Sequence, residues 1–495
     1  MNSKRSVITL ILIFFSLIFS SISLVNHYLL RTYALDLGMF NHALYMYSNF
    51  NEVRFTLGLS ETEYPFLATH FSVLIAIFAP FRFIFGSYTL LIIQIASIIF
   101  GSLGIYKYAS DKLPNQARLS KFCLIHFLSI WGIYSALSFD FHMNVIGTMF
   151  IPWFIYYFEK KHHRNATLLL ILALLSIETM SIWLIFIITA LLIKNKKSNT
   201  FKSTKIELAQ LVFCIVYALV ILGYCMPELQ DSSTNLQLER YDKPGEIIQT
   251  FFTHPIDFFY KLFSNTTNDV EYNGIKLETT LMFLFSGGIL IIFRPIYLLM
   301  LIPIVSFKFL SNDYSLWGIN NQYSIELTPI ISFIVIDFLS LISKKRMLLL
   351  TIITLLTFGS TIQTIISRKS KWYEATNSIF FKSGHYQSKL DVSSIKKALE
   401  LIPNDASVSC SSPLAPQLAF RKNIYHFPYT QKADFIALIT LPEYAYPLTS
   451  EAYDNKLKNL SKNKHYQIVH QKFNLLILKK LNKKVILLPK TSNLK

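Results

Sequence analysis

The sequence is poor in charged residues, and this deficit separates it from ordinary soluble proteins. Only 15% of its 495 residues are Asp, Glu, Lys or Arg, whereas soluble domains carry about 25%. Hydrophobic residues make up 52% of the chain, and the mean hydropathy is +0.41. A chain of this composition is expected to cross a membrane several times.

Cysteines and acidic residues are also scarce. The four cysteines show no CxxC spacing, so the sequence indicates neither a disulfide framework nor a zinc site. The shortage of Asp and Glu leaves a net charge of +18, which is a feature of many nucleic-acid-binding proteins. Here, however, Lys and Arg cluster in short loops between apolar runs and in a Lys-rich tail. Charges in such loops orient membrane helices, and we expect no nucleic-acid partner.

Several familiar enzyme motifs are missing. The sequence has no Walker loop, Rossmann fingerprint, HExxH motif or nucleophile elbow. These absences disfavour an enzyme that uses a nucleotide-sugar in the cytoplasm.

The apolar runs and basic loops predict about eleven transmembrane helices with a cytoplasmic N-terminus. The first run, 6–30, is too long for a signal peptide. The run 70–85 contains Pro80 and Arg82, and it either spans poorly or re-enters. Re-entry places the basic loop 107–121 in the cytoplasm, so we prefer it. The predicted location is the inner or plasma membrane, with several crossings.

Glu178 interrupts the apolar run 166–193, which basic residues flank on both sides. A single long span would place one basic cluster outside. We therefore predict two short helices with Glu178 at their outer turn. The same rule places long loops at 31–69 and 227–276 on the outer face.

The composition changes near residue 367, so we predict a transmembrane domain at 1–367 and a second domain at 368–495. The second part has no run long enough to span, and its strands and helices alternate, which predicts a small α/β domain outside the membrane. The predicted elements are a helix at 391–401, a strand at 406–410, a short helix at 413–419, strands at 423–427 and 434–440, a helix at 450–462 and two strands within 465–479.

Asp36 is the first candidate for a functional residue. It follows the first apolar run, where a carboxylate can meet a charged, lipid-borne substrate without crossing hydrocarbon. It could act as a general base or orient an acceptor hydroxyl. Alternatively, Asp36 is the N-cap of an amphipathic helix over 37–47 that lies on the membrane surface. The two roles are compatible.

Other polar residues are predicted on the same outer side. Asp140 and His142 could bind a donor phosphate or a divalent cation, but two ligands do not define a metal site, so neither metal nor other cofactor is assigned. Glu178 would be costly in lipid, and it either contacts a sugar or acceptor or sits in the headgroup zone. His70 is a candidate contact, although a structural histidine is the more common case.

Three basic residues of the outer loops are candidates for holding a phosphate. They are Arg54, Arg240 and Lys243. Arg binds phosphate oxygens in a bidentate manner. The alternative for each is a loop charge near anionic lipid.

Seven short passages, taken in order, resemble one family of predicted bacterial and archaeal membrane proteins. They are LDLGMFNHA at 35–43, THFS at 69–72, FDFH at 139–142, SIE at 176–178, QYS at 322–324, IPNDASV at 402–408 and PQLAFR at 416–421. The family is catalogued as domain of unknown function two thousand and seventy-nine. It is distantly similar to the GT-C glycosyltransferases, which take a sugar from a polyprenyl-phosphate donor.

The resemblance implies a fold and a function. The fold is mostly α and GT-C-like, and an acidic residue of the first outer loop is essential in such enzymes, which corresponds to Asp36. The resemblance also implies a substrate contact at Tyr323. The implied partners are membrane lipids and a polyprenyl-phosphate-linked sugar, with transfer to an envelope acceptor at the outer face. The alternatives are a transporter or flippase for a lipid-linked or small polar solute and a non-catalytic envelope scaffold.

Overall fold

In the computed structural model, the described residues are 2–59, 63–195, 204–230, 244–267, 269–370 and 374–481. They are mostly helical, and the larger of two sheets lies near the C-terminus. The chain divides into two compact units. The first, called the helical unit, comprises Met1–Asn26, Pro65–Phe78 and Tyr88–Tyr386. The second, called the sheet unit, comprises His27–Tyr64, Ala79–Ser87 and Gln387–Lys495.

The helical unit is built from apolar helices that share one large core. The longer helices are Asn2–Tyr28, Thr89–Lys112, Ala117–Leu128, Met143–Glu159, His163–Leu174, Met180–Asn195, Thr204–Val220, Pro244–Thr253, Ile275–Phe285, Ile296–Phe309, Leu327–Leu341 and Arg346–Ile366. The shorter ones are Phe66–Thr69, Ile75–Phe78, Trp131–Leu137, Met226–Leu229, Pro255–Phe263, Tyr314–Trp317 and Ala375–Ser378.

Four helical segments in the described ranges are long and apolar enough to cross a membrane: Ser6–Tyr28, Ile75–Lys112, Lys205–Leu229 and Arg346–Ile366. A fifth is obtained if the two helices Ala117–Leu128 and Trp131–Leu137, bent by 43°, form one span. The predicted eleven crossings are not confirmed, because the other apolar helices have 10–17 residues. A helix of this length rises only about 15–26 Å, less than the roughly 30 Å hydrocarbon core.

The run predicted to re-enter at 70–85 is broken into short pieces. They are Ile75–Phe78, Ala79–Phe81 and Arg82–Phe85, which are followed along the chain by the helix Thr89–Lys112. Pro80 lies at the middle piece, where a proline removes one backbone donor. Re-entry itself remains a prediction.

The predicted break at Glu178 is confirmed. The helix His163–Leu174 ends before it, and the helix Met180–Asn195 begins after it. The turn between them packs against Gly147, where a Cβ atom would lie 2.2 Å from Ser176 Oγ. Only glycine therefore allows this turn to approach the neighbouring helix so closely.

An ion-pair network, partly buried, joins five helices in this unit. Lys194 Nζ lies 2.5 Å from Asp337 Oδ2 and 2.8 Å from Glu159 Oε1. Lys112 Nζ lies 2.6 Å from the other oxygen of Glu159, and the Tyr297 hydroxyl donates to Asp337 over 2.8 Å. Because each charge has a partner, the network holds these helices together within an otherwise apolar core.

The strands of the chain are β1 (Arg54–Phe55), β2 (Tyr64–Pro65), β3 (Val408–Cys410), β4 (Ile424–His426), β5 (Phe435–Ile439), β6 (Tyr466–Lys472) and β7 (Leu475–Lys480). The five-stranded sheet has the order β4-β3-β5-β7-β6. β3 is parallel to both of its neighbours, whereas β7 is antiparallel to β5 and β6. The central strand β5 is apolar and buried throughout, as expected for a strand covered on both faces.

The helices of the sheet unit include Met39–Ser48, Arg82–Phe85, Val392–Leu399, Ala415–Leu418 and Ser450–Lys462. The elements predicted between 391 and 479 are all present, within a few residues at each end. The sheet unit also contains 27–64 and 79–87, which the predicted division assigned to the transmembrane domain. That residues 1–367 form the transmembrane domain and 368–495 lie outside the membrane remains a prediction.

Replacing Lys194 by Met is expected to destabilise the protein by about 3–5 kcal/mol, because the buried carboxylate of Asp337 loses its cation. The measurement is the apparent melting temperature of the purified protein in detergent. The matched control is Lys160→Met, which breaks a 2.8 Å pair with Asp111 whose side chains are 46% and 27% exposed. A pair of that kind contributes about 0–1 kcal/mol. Equal losses for both variants would contradict a structural role for the buried network.

Candidate functional site

Asp36 lies in one π-helical turn, Ala34–Gly38, that leads directly into the helix Met39–Ser48. Single π turns are rare and are found frequently at functional sites. The N-cap of the turn is Tyr33, and the N-cap of the following helix is Gly38. The prediction that Asp36 is the N-cap is therefore wrong, because the helical conformation begins before it. Its side chain is partly exposed.

The π turn is held against the chain that follows β3. The backbone nitrogen of Ala34 donates to Ser412 Oγ over 3.1 Å. A Cβ atom at Gly38 would lie 3.3 Å from Ala415 Cβ and 3.2 Å from the Tyr33 carbonyl oxygen. These contacts place the turn of Asp36 at the carboxyl end of β3.

That end of the sheet is a topological switch point. After β3 the chain passes through the helix Ala415–Leu418 to β4, which lies on one side of β3. After β5 it continues to β6 and β7, which lie on the opposite side of β5 from β3. In open α/β sheets, ligands bind outside the carboxyl ends of the strands where the connections diverge in this way. The location of Asp36 is therefore suited to contact a ligand.

Tyr446 shares this edge with Asp36. Burial and the negative charge of Asp36 raise the pKa of the Tyr446 phenol. Tyr446 is nevertheless 49% exposed. The edge thus combines a carboxylate with an accessible aromatic ring.

A second group of polar residues lies in the helical unit around Glu178. The backbone nitrogen of Phe71 donates to Glu178 Oε2 over 2.9 Å, and His70 Nδ1 lies 3.5 Å from Glu178 Oε1. Burial, followed by the charge of His70, lowers the pKa of His142 to about 3. His70, His142 and Glu178, which we call the Glu178 cluster, are therefore close together, and His142 is neutral at pH 7.

Gln94 fixes the turn that carries Asp140 and His142. Its amide nitrogen donates to the carbonyl oxygen of Asp140 over 3.1 Å, and its amide oxygen accepts from the backbone nitrogen of His142 over 2.9 Å. Asp140 has a φ of +59°, a left-handed conformation that Asp tolerates better than most residues. The ring of Phe139 stacks on His142 with centroids 5.9 Å apart.

The remaining predicted residues have different surroundings. Tyr323 accepts a hydrogen bond through its carbonyl from Lys308, over 2.9 Å. Arg54 pairs with Glu52 at 3.0 Å on the exposed surface. Arg240 and Lys243 lie outside the described residues. Asp36 and Arg54 belong to the sheet unit, and the others that are described belong to the helical unit, so a common substrate site remains a prediction.

No group of three or more His, Cys, Asp or Glu in the described part of the chain is arranged to hold a metal ion.

Two charged residues near Tyr323, Lys308 and Glu326, are not among the predicted candidates. Lys308 is 4% exposed, and its ammonium also donates to the carbonyls of Leu316 and Gly318 over 2.8 and 2.9 Å. Glu326 accepts from Asn144 over 3.0 Å. Both charges lie inside or beside apolar runs, and such a position marks a residue that needs a partner. The same signal identified Glu178.

A family model described as "predicted membrane protein (DUF2079)" matches residues 26–477. No curated protein matches the sequence. Among solved structures, ArnT from Cupriavidus metallidurans bound to undecaprenyl phosphate gives a TM-score of 0.50 at 10% identity, covering 97% of this chain and 98% of that one. The apo structure of ArnT from Cupriavidus metallidurans gives a TM-score of 0.48 at 11% identity, covering 93% of this chain and 97% of that one. The apo oligosaccharyltransferase of Archaeoglobus fulgidus gives a TM-score of 0.43 at 12% identity, covering 92% of this chain and 68% of that one.

The likeness to the first ArnT structure is one of fold and extends over nearly the whole of both chains. It confirms the expected GT-C-like architecture. Similarity of fold does not by itself establish function.

The sheet unit is expected to lose stability as the pH falls from about 6.5 towards 4. Burial lowers the pKa of both His42 and His426 to about 4. In that interval the unfolded chain binds protons that the folded unit does not, so acid favours unfolding. Hydrogen exchange of sheet-unit peptides, corrected for intrinsic rates, should therefore be faster at about pH 5 than at about pH 7.

The matched variants for this measurement are His42→Gln and His465→Gln. His42 Nε2 lies 3.3 Å from the Lys422 carbonyl oxygen, and Gln can replace that bond without titrating. His465 is exposed in the same unit. Only His42→Gln should reduce the pH dependence, and an equal dependence in both variants would contradict the assignment.

Proposed function

The chain belongs to the DUF2079 family of predicted membrane proteins, and from this premise we propose that it is a GT-C-type membrane glycosyltransferase. In this proposal it moves a sugar from a polyprenyl-phosphate donor to an envelope acceptor at the outer face of the membrane. The N-terminus is cytoplasmic and the domain at 368–495 is extracytoplasmic. The polyprenyl-phosphate donor is suggested by the fold, because the ArnT structure of similar fold is described as bound to undecaprenyl phosphate.

The observation that carries the proposal is the position of Asp36. Its carboxylate is partly exposed on a packed π turn at the carboxyl end of β3. We assign it the role of general base, or of the group that orients the acceptor. The carboxylate takes the proton of an acceptor hydroxyl while that oxygen attacks the anomeric carbon, and the lipid phosphate leaves with the bonding electrons.

The Glu178 cluster is assigned to substrate binding in the helical unit. Its glutamate and neutral His142 offer acceptors and a donor for hydroxyl groups. Asp140 is assigned to the same region because Gln94 fixes it beside His142. Arg54, Arg240 and Lys243 are assigned to the donor phosphate, and Tyr323 to the sugar.

The ion-pair network supports the proposed orientation. Charge patterning places the C-terminal ends of three helices on the cytoplasmic side. These helices are Thr89–Lys112, Met143–Glu159 and Met180–Asn195. Their ends carry Lys112, Glu159 and Lys194, which are paired with one another. Helix ends that contact each other must lie on one side of the membrane. Glu178 precedes the helix Met180–Asn195, at the end opposite to Lys194, and we therefore assign it to the outer side.

A transporter or flippase is the second candidate. The observation that favours it is the buried carboxylate of Asp337 within the apolar helix Leu327–Leu341, because charges inside membrane segments commonly mark a transport pathway. A protein that moves a fluorescent polyprenyl phosphate between the leaflets of a vesicle, and transfers no sugar, would support this candidate.

Replacing Asp36 by Asn should reduce sugar transfer by about 10²–10⁴-fold, the usual contribution of a general base. Asp36→Glu should retain part of the activity, because it keeps the carboxylate. The assay follows radiolabelled sugar from a polyprenyl-phosphate donor into envelope fractions, with purified protein in vesicles. Glu443→Gln is the matched control, since Glu443 is an acidic residue of the same unit in a surface pair with Lys389 at 3.1 Å. A folded Asp36→Asn variant with full activity would remove Asp36 from the reaction.

A further inference from the structure

His426 is a buried polar residue whose hydrogen-bonding capacity is not used. Its side chain is 0% exposed, and neither ring nitrogen has a hydrogen-bond partner in the described ranges. Leaving a buried donor or acceptor unsatisfied is destabilising. Such groups are rare in native proteins, and a bound ligand is one explanation for their retention.

His426 lies at the same edge of the sheet as Asp36. It is the last residue of β4 and pairs in register with Cys410, the last residue of β3. Two residues beyond Cys410, the Ser412 hydroxyl accepts the hydrogen bond that holds the turn of Asp36. The carboxyl ends of two neighbouring parallel strands and the turn of Asp36 therefore meet at this point.

Tyr446 is an exposed aromatic neighbour of His426. Its ring centroid is 6.1 Å from that of His426, with the planes inclined by 38°. Tyr446 is 49% exposed whereas His426 is fully buried. The buried histidine therefore has an exposed aromatic ring beside it at the switch point.

We propose that His426, Tyr446 and Asp36 form an acceptor-binding subsite for a neutral carbohydrate on the sheet unit. The proposal rests on the glycosyltransferase function above and names the class of its acceptor. A neutral imidazole carries one donor and one acceptor, which is the pattern that a sugar hydroxyl complements. An exposed tyrosine ring offers an apolar face with a polar tip, and the Asp36 carboxylate accepts a further hydroxyl hydrogen.

Charge favours a neutral ligand over an anionic one. Burial keeps the pKa of His426 at about 4, so its ring is uncharged at pH 7. Tyr446 is uncharged as well, because its pKa is raised, and Asp36 contributes a negative charge. A phosphate or carboxylate would meet repulsion from Asp36 and no cation among these three groups.

The experiment is saturation-transfer NMR on the full-length protein in lipid nanodiscs, without donor. The probes are the methyl glycosides of glucose, mannose and N-acetylglucosamine. We expect at least one glycoside to bind, and Tyr446→Ala to weaken its binding about fivefold through loss of the aromatic face. Tyr446→Phe keeps the ring and should retain most of the binding.

His426→Phe distinguishes a binding role from a structural one. The substitution removes an unsatisfied polar ring and replaces it with an apolar one of similar shape, so the melting temperature should stay the same or rise. Glycoside binding should nevertheless fall. An increase in stability with unchanged binding would overturn the role of His426.

The matched control is Phe473→Ala. Phe473 is 47% exposed and its ring lies 6.2 Å from that of His470, so it forms a similar aromatic pair in the same unit, between β6 and β7. Its removal should leave glycoside binding unchanged. If Tyr446→Ala fails to fold, Tyr446→Leu provides the same comparison.

The outcomes separate the subsite from the proposed function. Glycoside binding that is unaffected by Tyr446→Ala and His426→Phe, or no binding of any probe, would overturn the subsite and leave the Asp36→Asn transfer result standing. Binding that both variants weaken supports the subsite. Such binding in a protein that transfers no sugar would overturn the glycosyltransferase function and retain the carbohydrate site.

Discussion

A charge inside a bundle of apolar helices must have a partner, and this constraint determines how the helical unit is assembled. Lys194 is shared by the carboxylates of Asp337 and Glu159, so the helices that carry them can associate in few arrangements. Lys308 shows the same principle without a carboxylate at its tip, because backbone carbonyls surround its ammonium. Apolar packing supplies most of the area that is buried, but it is not directional. The ionic contacts provide the specificity that apolar contacts lack.

The sequence predicted those features of the fold that leave a local signal. Glu178 in an apolar run indicated a helix break, and the structure has one. The alternation of strand and helix patterns after residue 391 indicated the sheet. Hydropathy predicted more spans than the length of the described helices supports, since it detects apolar runs but not the breaks within them. The helix Ile275–Phe285 illustrates such a break: Gly287, with a φ of +101°, follows it and precedes a 3-10 segment.

Candidate residues were predictable to a similar extent. Asp36 was identified from its place at the end of an apolar run. Its turn is held by a hydrogen bond between Ala34 and Ser412, which are 378 residues apart in sequence, and no local pattern indicates such a contact. The N-cap interpretation failed because the sequence does not reveal a π turn. Gln94 and His426 gave no signal at all, since neither is charged and each is surrounded by ordinary apolar residues. Whether a buried polar group is satisfied is a property of packing and cannot be inferred from composition.

The grouping of Asp36 with the sheet has a consequence for specificity. In the proposed reaction, the base and the acceptor subsite belong to one compact unit, whereas the Glu178 cluster belongs to the other. The geometry between Asp36 and an acceptor hydroxyl is then fixed by contacts such as those of Gly38 with Ala415, which do not involve the donor. Proton transfer requires heavy atoms within about 3 Å of each other, and a rigid unit maintains this distance better than two separate ones. In this proposal, the loops after β4 and β5 determine the choice of acceptor, whereas the donor phosphate is held by other residues, such as Arg54.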